Sequence, residues 1–233
     1  MTELKNGVKR AWAKASLMSV EVIIVMIAFF AALSVFVLVA RMIFLERKED
    51  FDFRVFDFLN QHVNHSTTGL MQSFSFLGSH YFLIPANIIL TAYFLFVKKK
   101  TWYSIRVPII SASSVLLMLV LKQFFHRQRP MMPLLTGAKG LSFPSGHALM
   151  SIAFYGLIIY LLRKTVTNKT IKFGLTLLFL LLIFFIGLSR IYLRVHYASD
   201  VIAGFSLGWV WLVLSLAIIN KVERRSGKEI ELS

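Results

Sequence analysis

Cysteine is absent from this 233-residue chain, and acidic side chains are scarce. The absence of cysteine excludes disulfides, zinc sites built on cysteine and a cysteine nucleophile. Only 11 Asp and Glu stand against 26 Lys and Arg, which gives a net charge of +15. Nucleic-acid binding does not explain this excess, because the basic residues lie in short clusters between long apolar runs and not along one polar face. Such clusters are typical of segments that flank membrane spans and face anionic lipid headgroups.

Apolar residues are abundant, at 57% of the chain, and the mean hydropathy is +0.71. A soluble domain is nearer to about 45–50% apolar, so the excess indicates a membrane protein. A helix that crosses the bilayer needs about 20 apolar residues. The pattern predicts an all-α, polytopic membrane protein with six transmembrane helices in a single domain, residues 1–233. The predicted spans are residues 19–44, 80–97, 104–121, 147–163, 172–189 and 200–220.

The distribution of Lys and Arg predicts the orientation of the spans. If the N-terminus is inside, the inner segments hold 16 of the 26 basic residues, including a basic tail over residues 1–17. The positive-inside rule then places both termini in the cytoplasm, in the plasma or inner membrane of a cell. Anionic lipids are the expected partners at the cytoplasmic face. Arg106, Arg163 and Lys172, near span ends, are expected to extend their charged groups to the interface.

The longest stretch without a span is the connector over residues 46–78. We predict an interfacial helix that lies on the outer surface. The start of the connector is acidic, and phenylalanines alternate with its carboxylates. Asp50 and Asp52, on either side of Phe51, are interpreted as part of a solvated acidic surface.

Three polar clusters fall on the same predicted outer side, although the topology was derived without them. Each stands at the end of a predicted span, where a lipid headgroup would lie. The clusters are Lys122 to Pro130 after the third span, Phe143 to His147 before the fourth, and Ser189 to Asp200 between the fifth and the sixth.

The second cluster has the features of a helix start that binds an anion. Pro144 suits an extended residue before a helix, and Ser145 is a favourable N-cap. Gly146 lets the backbone approach an anion closely, and the free N–H groups of the first turn bind phosphate readily. His147 would then stand beside a bound phosphate.

The third cluster suggests a nucleophile. His196 and Asp200 are four residues apart, which places them on one face if the segment is helical. A carboxylate bonded to one imidazole nitrogen fixes the tautomer and leaves the other nitrogen free to attack. Lys122, Arg129 and Arg190 supply fixed positive charge, which suits phosphoryl transfer.

The remaining basic residues and histidines on this side are given ordinary roles. A basic residue at the end of a span commonly marks topology, and a histidine at the interface is commonly a polar cap. By these criteria the topology signals are Arg127, Lys139 and Arg194, and the polar caps are His62, His65 and His80.

Taken together, the clusters closely resemble the type 2 phosphatidic acid phosphatase (PAP2) family, in its membrane lipid phosphate phosphatase branch. The family pattern is Lys, six residues, Arg-Pro; then Pro-Ser-Gly-His; then Ser-Arg, five residues, His, three residues, Asp. The matching residues are Lys122, Arg129-Pro130, Pro144 to His147, Ser189-Arg190, His196 and Asp200.

The resemblance implies roles for these residues. His196 is expected to attack phosphorus and form a phosphohistidine, with Asp200 orienting it and His147 protonating the departing lipid alcohol. No metal or other cofactor is implied. The implied phosphate-binding shell consists of Lys122, Arg129, Ser145, Gly146 and Arg190.

A site at headgroup depth predicts a membrane lipid as the substrate. Phosphatidic acid, phosphatidylglycerol phosphate and undecaprenyl diphosphate all suit the chemistry, and the oligomeric state stays open. A phosphotransferase is an alternative, since it would use the same histidine and every motif. A haloperoxidase would bind vanadate with the same residues, but that branch of the family is soluble. A lipid transporter without enzymatic activity would not need the pair of His196 and Asp200.

Overall fold

The structure is a computed structural model that describes the backbone of residues 2–135 and 140–231 and the side chains of residues 20–135 and 140–226. All regular structure within these ranges is helical, which confirms the all-α prediction. A five-residue π-helical turn, Tyr93–Val97, extends the fourth helix. The α-helices are α1 (Thr2–Phe44), α2 (Asp50–Asn60), α3 (His65–Leu77), α4 (His80–Ala92), α5 (Thr101–Phe125), α6 (Gly146–Thr165), α7 (Lys169–Tyr192) and α8 (Ala198–Glu231).

Six helical segments in the described part of the chain are long and apolar enough to cross a membrane, as predicted. These segments extend by up to six residues beyond the predicted spans. A helix continues past its apolar run where long basic side chains can reach the interface. The six segments are Val20–Phe44, His80–Val97, Thr101–Phe125, Gly146–Thr165, Lys169–Tyr192 and Ala198–Ser226.

The centre of the bundle is formed by α6 and α8, which pack against each other and against α5 and α7. Small residues allow α8 to approach the start of α6 closely, as is common between membrane helices. A Cβ atom at Gly204 would lie 2.6 Å from the carbonyl oxygen of Ser145 and 2.9 Å from Cβ of Ala148. This contact fixes the beginning of α6 against the first turns of α8.

Gly204→Ala is expected to destabilise the protein and to lower its activity. The added methyl group would overlap the Ser145 carbonyl, so α8 would have to move away from α6. Overpacking of this kind costs about 1–3 kcal/mol. Thermal unfolding in detergent should therefore show a lower Tm for Gly204→Ala. Gly174→Ala on α7 is the control, because nothing lies within 4 Å of its added methyl group. Equal Tm values for the two variants would contradict this packing.

Helix α1 lies at the edge of the bundle and packs on α8. Its inner face contributes to a cluster with Phe143 and Ala203. Its outer face exposes apolar side chains such as Ile23, Ile27 and Leu38. A contiguous apolar surface of this size is expected to face lipid.

The connector contains two helices, α2 and α3, where the sequence predicted one interfacial helix. The break arises because Asn64 starts a new helix: its side chain accepts a hydrogen bond from the Thr67 backbone N–H at 3.0 Å. The Thr67 hydroxyl accepts one from the Asn64 N–H at 3.3 Å in return, which completes a capping box.

Arg106 was predicted to extend to the interface, but the structure places it elsewhere. Arg163, for which the same prediction was made, is exposed. The Arg106 side chain is buried and forms an ion pair with Glu223. It also donates to Asn220 Oδ1 at 2.8 Å, and its guanidinium carbon lies 5.1 Å from the ring centroid of Tyr103. The prediction was wrong because a carboxylate on α8 compensates the charge inside the bundle.

Candidate active site

The structure brings the three polar clusters together at one end of the bundle. Arg129 Nη1, from the first cluster, donates to the Val195 carbonyl of the third cluster at 2.7 Å. The backbone N–H of Ser145, in the second cluster, donates to the Asp200 carbonyl at 3.0 Å. Lys122, at the end of α5, donates to the carbonyl oxygens of residues 141 and 142. The three clusters thus form one continuous polar site.

His196 lies in the turn before α8 and not on the helix itself. Asp200 is in the first turn of α8 and accepts a hydrogen bond from the Tyr197 backbone N–H at 3.0 Å. This bond folds the turn back on the helix start, so His196 Nδ1 stands 3.5 Å from Asp200 Oδ2. The pair predicted from helical spacing is therefore adjacent, but a turn produces the contact.

Ser142 determines the tautomer of His196. Its hydroxyl donates to Asp200 Oδ2, and its oxygen lies 3.3 Å from His196 Nδ1. A hydroxyl has one proton to donate, and an ionised carboxylate can only accept. Since that proton goes to Asp200, the Ser142 oxygen accepts from His196, so Nδ1 carries the imidazole proton. Nε2 then keeps its lone pair.

The burial of His196 keeps this lone pair available. The side chain is 2% exposed, and burial lowers the pKa of His196 to about 3 although Asp200 acts in the opposite direction. The imidazole is therefore neutral over the physiological pH range. Its Nε2 lies 3.4 Å from Nη1 of Arg129, on the side where an anionic substrate would be held.

The N-terminus of α6 has the properties of an anion site. Ser145 occupies the N-cap position, but its side chain makes no capping bond. Its hydroxyl is buried and has no hydrogen-bond partner among the residues that the structure describes. Buried polar atoms normally have partners, so this hydroxyl is available for a ligand. The backbone N–H of Gly146, next in the chain, is one of the first-turn donors without an intrahelical acceptor.

Three cations surround the same space. Lys122, Arg129 and Arg190 lie within Coulombic range of one another. Arg190 is buried, donates to the Ser75 hydroxyl on α3, and leaves its Nε without a partner in the described residues. Like charges that lie close together in a largely buried site are costly unless an anion is bound near them. The arrangement suits a phosphate group with more than one negative charge.

His147 stands in the first turn of α6, within Coulombic range of Arg190 and His196. The corner between α3 and α4 packs against it. A Cβ atom at Gly78 would lie 3.1 Å from His147 Cδ2 and 2.5 Å from a methyl group of Ile186. Only glycine allows the connector to approach the imidazole this closely, so the connector fixes the position of His147.

Two residues that the sequence assigned to the surface are part of this site. Arg127, interpreted as a topology signal, is buried and donates to Asp200 Oδ1 at 2.7 Å. Asp52, interpreted as solvated, is fully buried and accepts from Arg127 at 2.9 Å. Both interpretations were wrong because each charge finds a partner of opposite sign that is distant in sequence.

Of the other residues given ordinary roles, His80 is exposed at the start of α4 and lies close enough to His147 to interact with it electrostatically. Arg194 donates to Asn60 on α2, at the surface, and His62 and His65 are exposed. Lys139 lies outside the described residues. Within the described ranges, no group of three or more His, Asp or Glu side chains is arranged to hold a metal ion.

Comparisons with known proteins agree on one family. The family model of the PAP2 superfamily matches residues 103–224. Phosphatidylglycerophosphatase B of Bacillus subtilis strain 168 is 32% identical over 159 residues, which cover 66% of this chain and 76% of that protein. The crystal structure of a transmembrane PAP2-type phosphatidylglycerolphosphate phosphatase from Bacillus subtilis matches with a TM-score of 0.76 and 26% identity, over 83% of this chain and 96% of that one. LpxE of Aquifex aeolicus matches with a TM-score of 0.53 and 26% identity, over 71% and 94%.

Proposed function

Because this chain belongs to the PAP2 superfamily and is a phosphoric ester hydrolase of that family, we propose that it removes phosphate from a membrane lipid through a phosphohistidine at His196. The observation that supports this proposal most directly is the state of the His196 imidazole. It is buried and neutral, its Nδ1 proton is held by Ser142 beside Asp200, and its Nε2 faces Arg129.

The reaction begins when Nε2 of His196 attacks phosphorus. The Nε2–P bond forms as the bond from phosphorus to the lipid oxygen breaks, and His147 gives a proton to that oxygen. Positive charge develops on the imidazole, which Asp200 stabilises through the Nδ1 side of the ring. A water molecule, deprotonated by His147, then attacks phosphorus, the Nε2–P bond breaks, and inorganic phosphate leaves a neutral His196.

The phosphate is held by the cations and donors around it. Lys122, Arg129 and Arg190 neutralise the oxygens as charge moves between them, which is the main contribution of the protein to phosphoryl transfer. The free hydroxyl of Ser145 and the N–H of Gly146 donate from the start of α6.

Phosphatidylglycerol phosphate is the substrate that we propose. The relative from Bacillus subtilis and the crystal structure from Bacillus subtilis are both named for activity on this lipid. The site stands where α5 ends and α6 and α8 begin, at headgroup depth, so the acyl chains can lie among the spans. With 16 of the 26 Lys and Arg assigned to the opposite side, the positive-inside rule places the site at the outer face of the cell membrane.

Phosphate release from purified protein in detergent is the test of this function. We expect release from phosphatidylglycerol phosphate to exceed release from phosphatidic acid and undecaprenyl diphosphate, and to persist in EDTA, because charge is neutralised by side chains. Added glycerol distinguishes a transferase, which would form glycerol phosphate in place of free phosphate. Loss of release in EDTA would contradict the proposed chemistry, and a different ranking of the lipids would contradict the proposed substrate.

A further inference from the structure

We propose that Arg127 and Asp52 are positioning residues for the nucleophile, and that the connector helix α2 thereby sets the reactivity of His196 through Asp200. The inference rests on the proposed role of His196. Asp52 lies outside the segment that matches the PAP2 superfamily, residues 103–224, so the motifs do not include it.

Arg127 joins the catalytic carboxylate to α2. Its Nη1 donates to Asp200 Oδ1 at 2.7 Å, and its Nη2 donates to Asp52 Oδ2 at 2.9 Å and to Glu49 Oε1 at 3.3 Å. The planar guanidinium holds two carboxylates with donors in fixed directions, whereas a lysine ammonium is a compact point charge whose donors rotate freely. The Tyr197 ring supports the guanidinium, whose carbon lies 4.0 Å from the ring centroid.

Through its backbone carbonyl, Arg127 also holds Ser142, a second residue that binds Asp200. The Ser142 N–H donates to the Arg127 carbonyl at 2.7 Å, and the Ser142 hydroxyl donates to Asp200 Oδ2. Arg127 therefore acts on both carboxylate oxygens of Asp200, directly on Oδ1 and through Ser142 on Oδ2. The oxygen that faces His196, Oδ2, thus accepts from the Ser142 hydroxyl and from the Tyr197 backbone N–H.

Asp52 binds the first turn of α8 from another helix. Its Oδ1 accepts from the Ser199 backbone N–H at 2.8 Å, and its Oδ2 accepts from the Ser199 hydroxyl at 2.6 Å. The N–H groups of a first turn have no intrahelical acceptors, and negative charge is favoured there. Asp52 thus anchors the residue next to Asp200, while its charge is shared with Arg127.

The charges of Arg127 and Asp52 together determine the charge that Asp200 carries during the reaction. Burial disfavours the charge of Arg127, but Asp200 and Asp52 outweigh this effect and raise the pKa of the guanidinium. Arg127 keeps Asp200 ionised, which holds the proton on His196 Nδ1. Because Arg127 is also paired with Asp52, it neutralises the charge of Asp200 only in part. Asp200 therefore retains negative charge to stabilise the imidazole as the Nε2–P bond forms.

Asp52→Asn is the variant that tests the pair, because the amide keeps the shape of the side chain and removes its charge. Arg127 would then be attracted to Asp200 without the competing carboxylate of Asp52, so Asp200 would shift slightly. A small misplacement of a catalytic group should lower the rate of phosphohistidine formation about 10- to 100-fold. The Ki of inorganic phosphate should stay within about two-fold, because the phosphate-binding residues are unchanged. Asp57→Asn is the matched control, since Asp57 is exposed on the same helix.

The measurement is rapid-quench kinetics in detergent, which separates the rate constant of the burst from its amplitude. A merely structural role would lower the amplitude, which counts active molecules, and leave the rate constant unchanged. Arg127→Lys provides a second variant, and it should also lower the rate constant because lysine lacks the rigid fork of donors that holds both carboxylates in place. A wild-type rate constant in Asp52→Asn would overturn the positioning role. If the wild-type protein releases phosphate without forming a phosphoenzyme, the proposed function of His196 fails instead.

Discussion

His196→Ala is expected to abolish phosphate release, with kcat lower by about 10⁴- to 10⁶-fold, as when other enzymes lose their nucleophile. The variant removes the only atom that we assign to attack phosphorus, His196 Nε2. It leaves the cations and the start of α6 in place, so lipid binding should change far less than turnover. Release of inorganic phosphate from phosphatidylglycerol phosphate in detergent micelles measures the effect.

His62→Ala is the matched control for this prediction. His62 is exposed on the connector, outside the site, and its substitution should leave kcat unchanged. Both proteins should bind inorganic phosphate with similar affinity, which shows that the site is folded. Turnover of His196→Ala within ten-fold of the wild type would contradict a nucleophilic role.

His147→Gln is expected to lower kcat for a lipid substrate by about 10²- to 10⁴-fold, the usual contribution of a general acid or base. The loss should depend on the leaving group. A lipid alcohol is a poor leaving group and needs the proton from His147, whereas p-nitrophenol leaves without one. With p-nitrophenyl phosphate the variant should therefore form the phosphohistidine normally and hydrolyse it slowly.

A burst of p-nitrophenol followed by a slow steady state is the signature of that behaviour. His65→Gln, at an exposed position on α3, should show no such separation of the two phases. If His147→Gln lowered the rate constant of the burst phase equally for lipid and aryl substrates, His147 would not be the group that protonates the leaving group. It would then act only through the position of the phosphate.

The spans and the parts of the site were predictable because their signals are local in sequence. A run of apolar residues specifies a membrane helix wherever it packs, and this was sufficient to place six helices. The Ser145-Gly146 helix start is likewise encoded by adjacent residues, and the structure has α6 begin at Gly146. The proximity of His196 and Asp200 was expected for a helical reason, but the Tyr197 turn produces it.

The buried charges could not be predicted, because their environments are created by residues distant in the chain. Asp50 and Asp52 look alike in sequence, yet only Asp52 faces Arg127 and Ser199 once α2 packs on α8. Arg106 looks like an interface residue until Glu223 is brought beside it. In each case a partner of opposite charge decides whether the side chain is buried, and the spacing along the chain carries no information about that partner.

The most direct test of the role of His196 is to trap the intermediate. Wild-type protein would be mixed with phosphatidylglycerol phosphate labelled with ³²P in its terminal phosphate and quenched in alkali within the first turnover. We predict label on the protein that is stable in alkali, labile in acid, located at His196 and absent from His196→Ala. Unlabelled wild-type protein during active phosphate release, or label on another residue, would contradict the account.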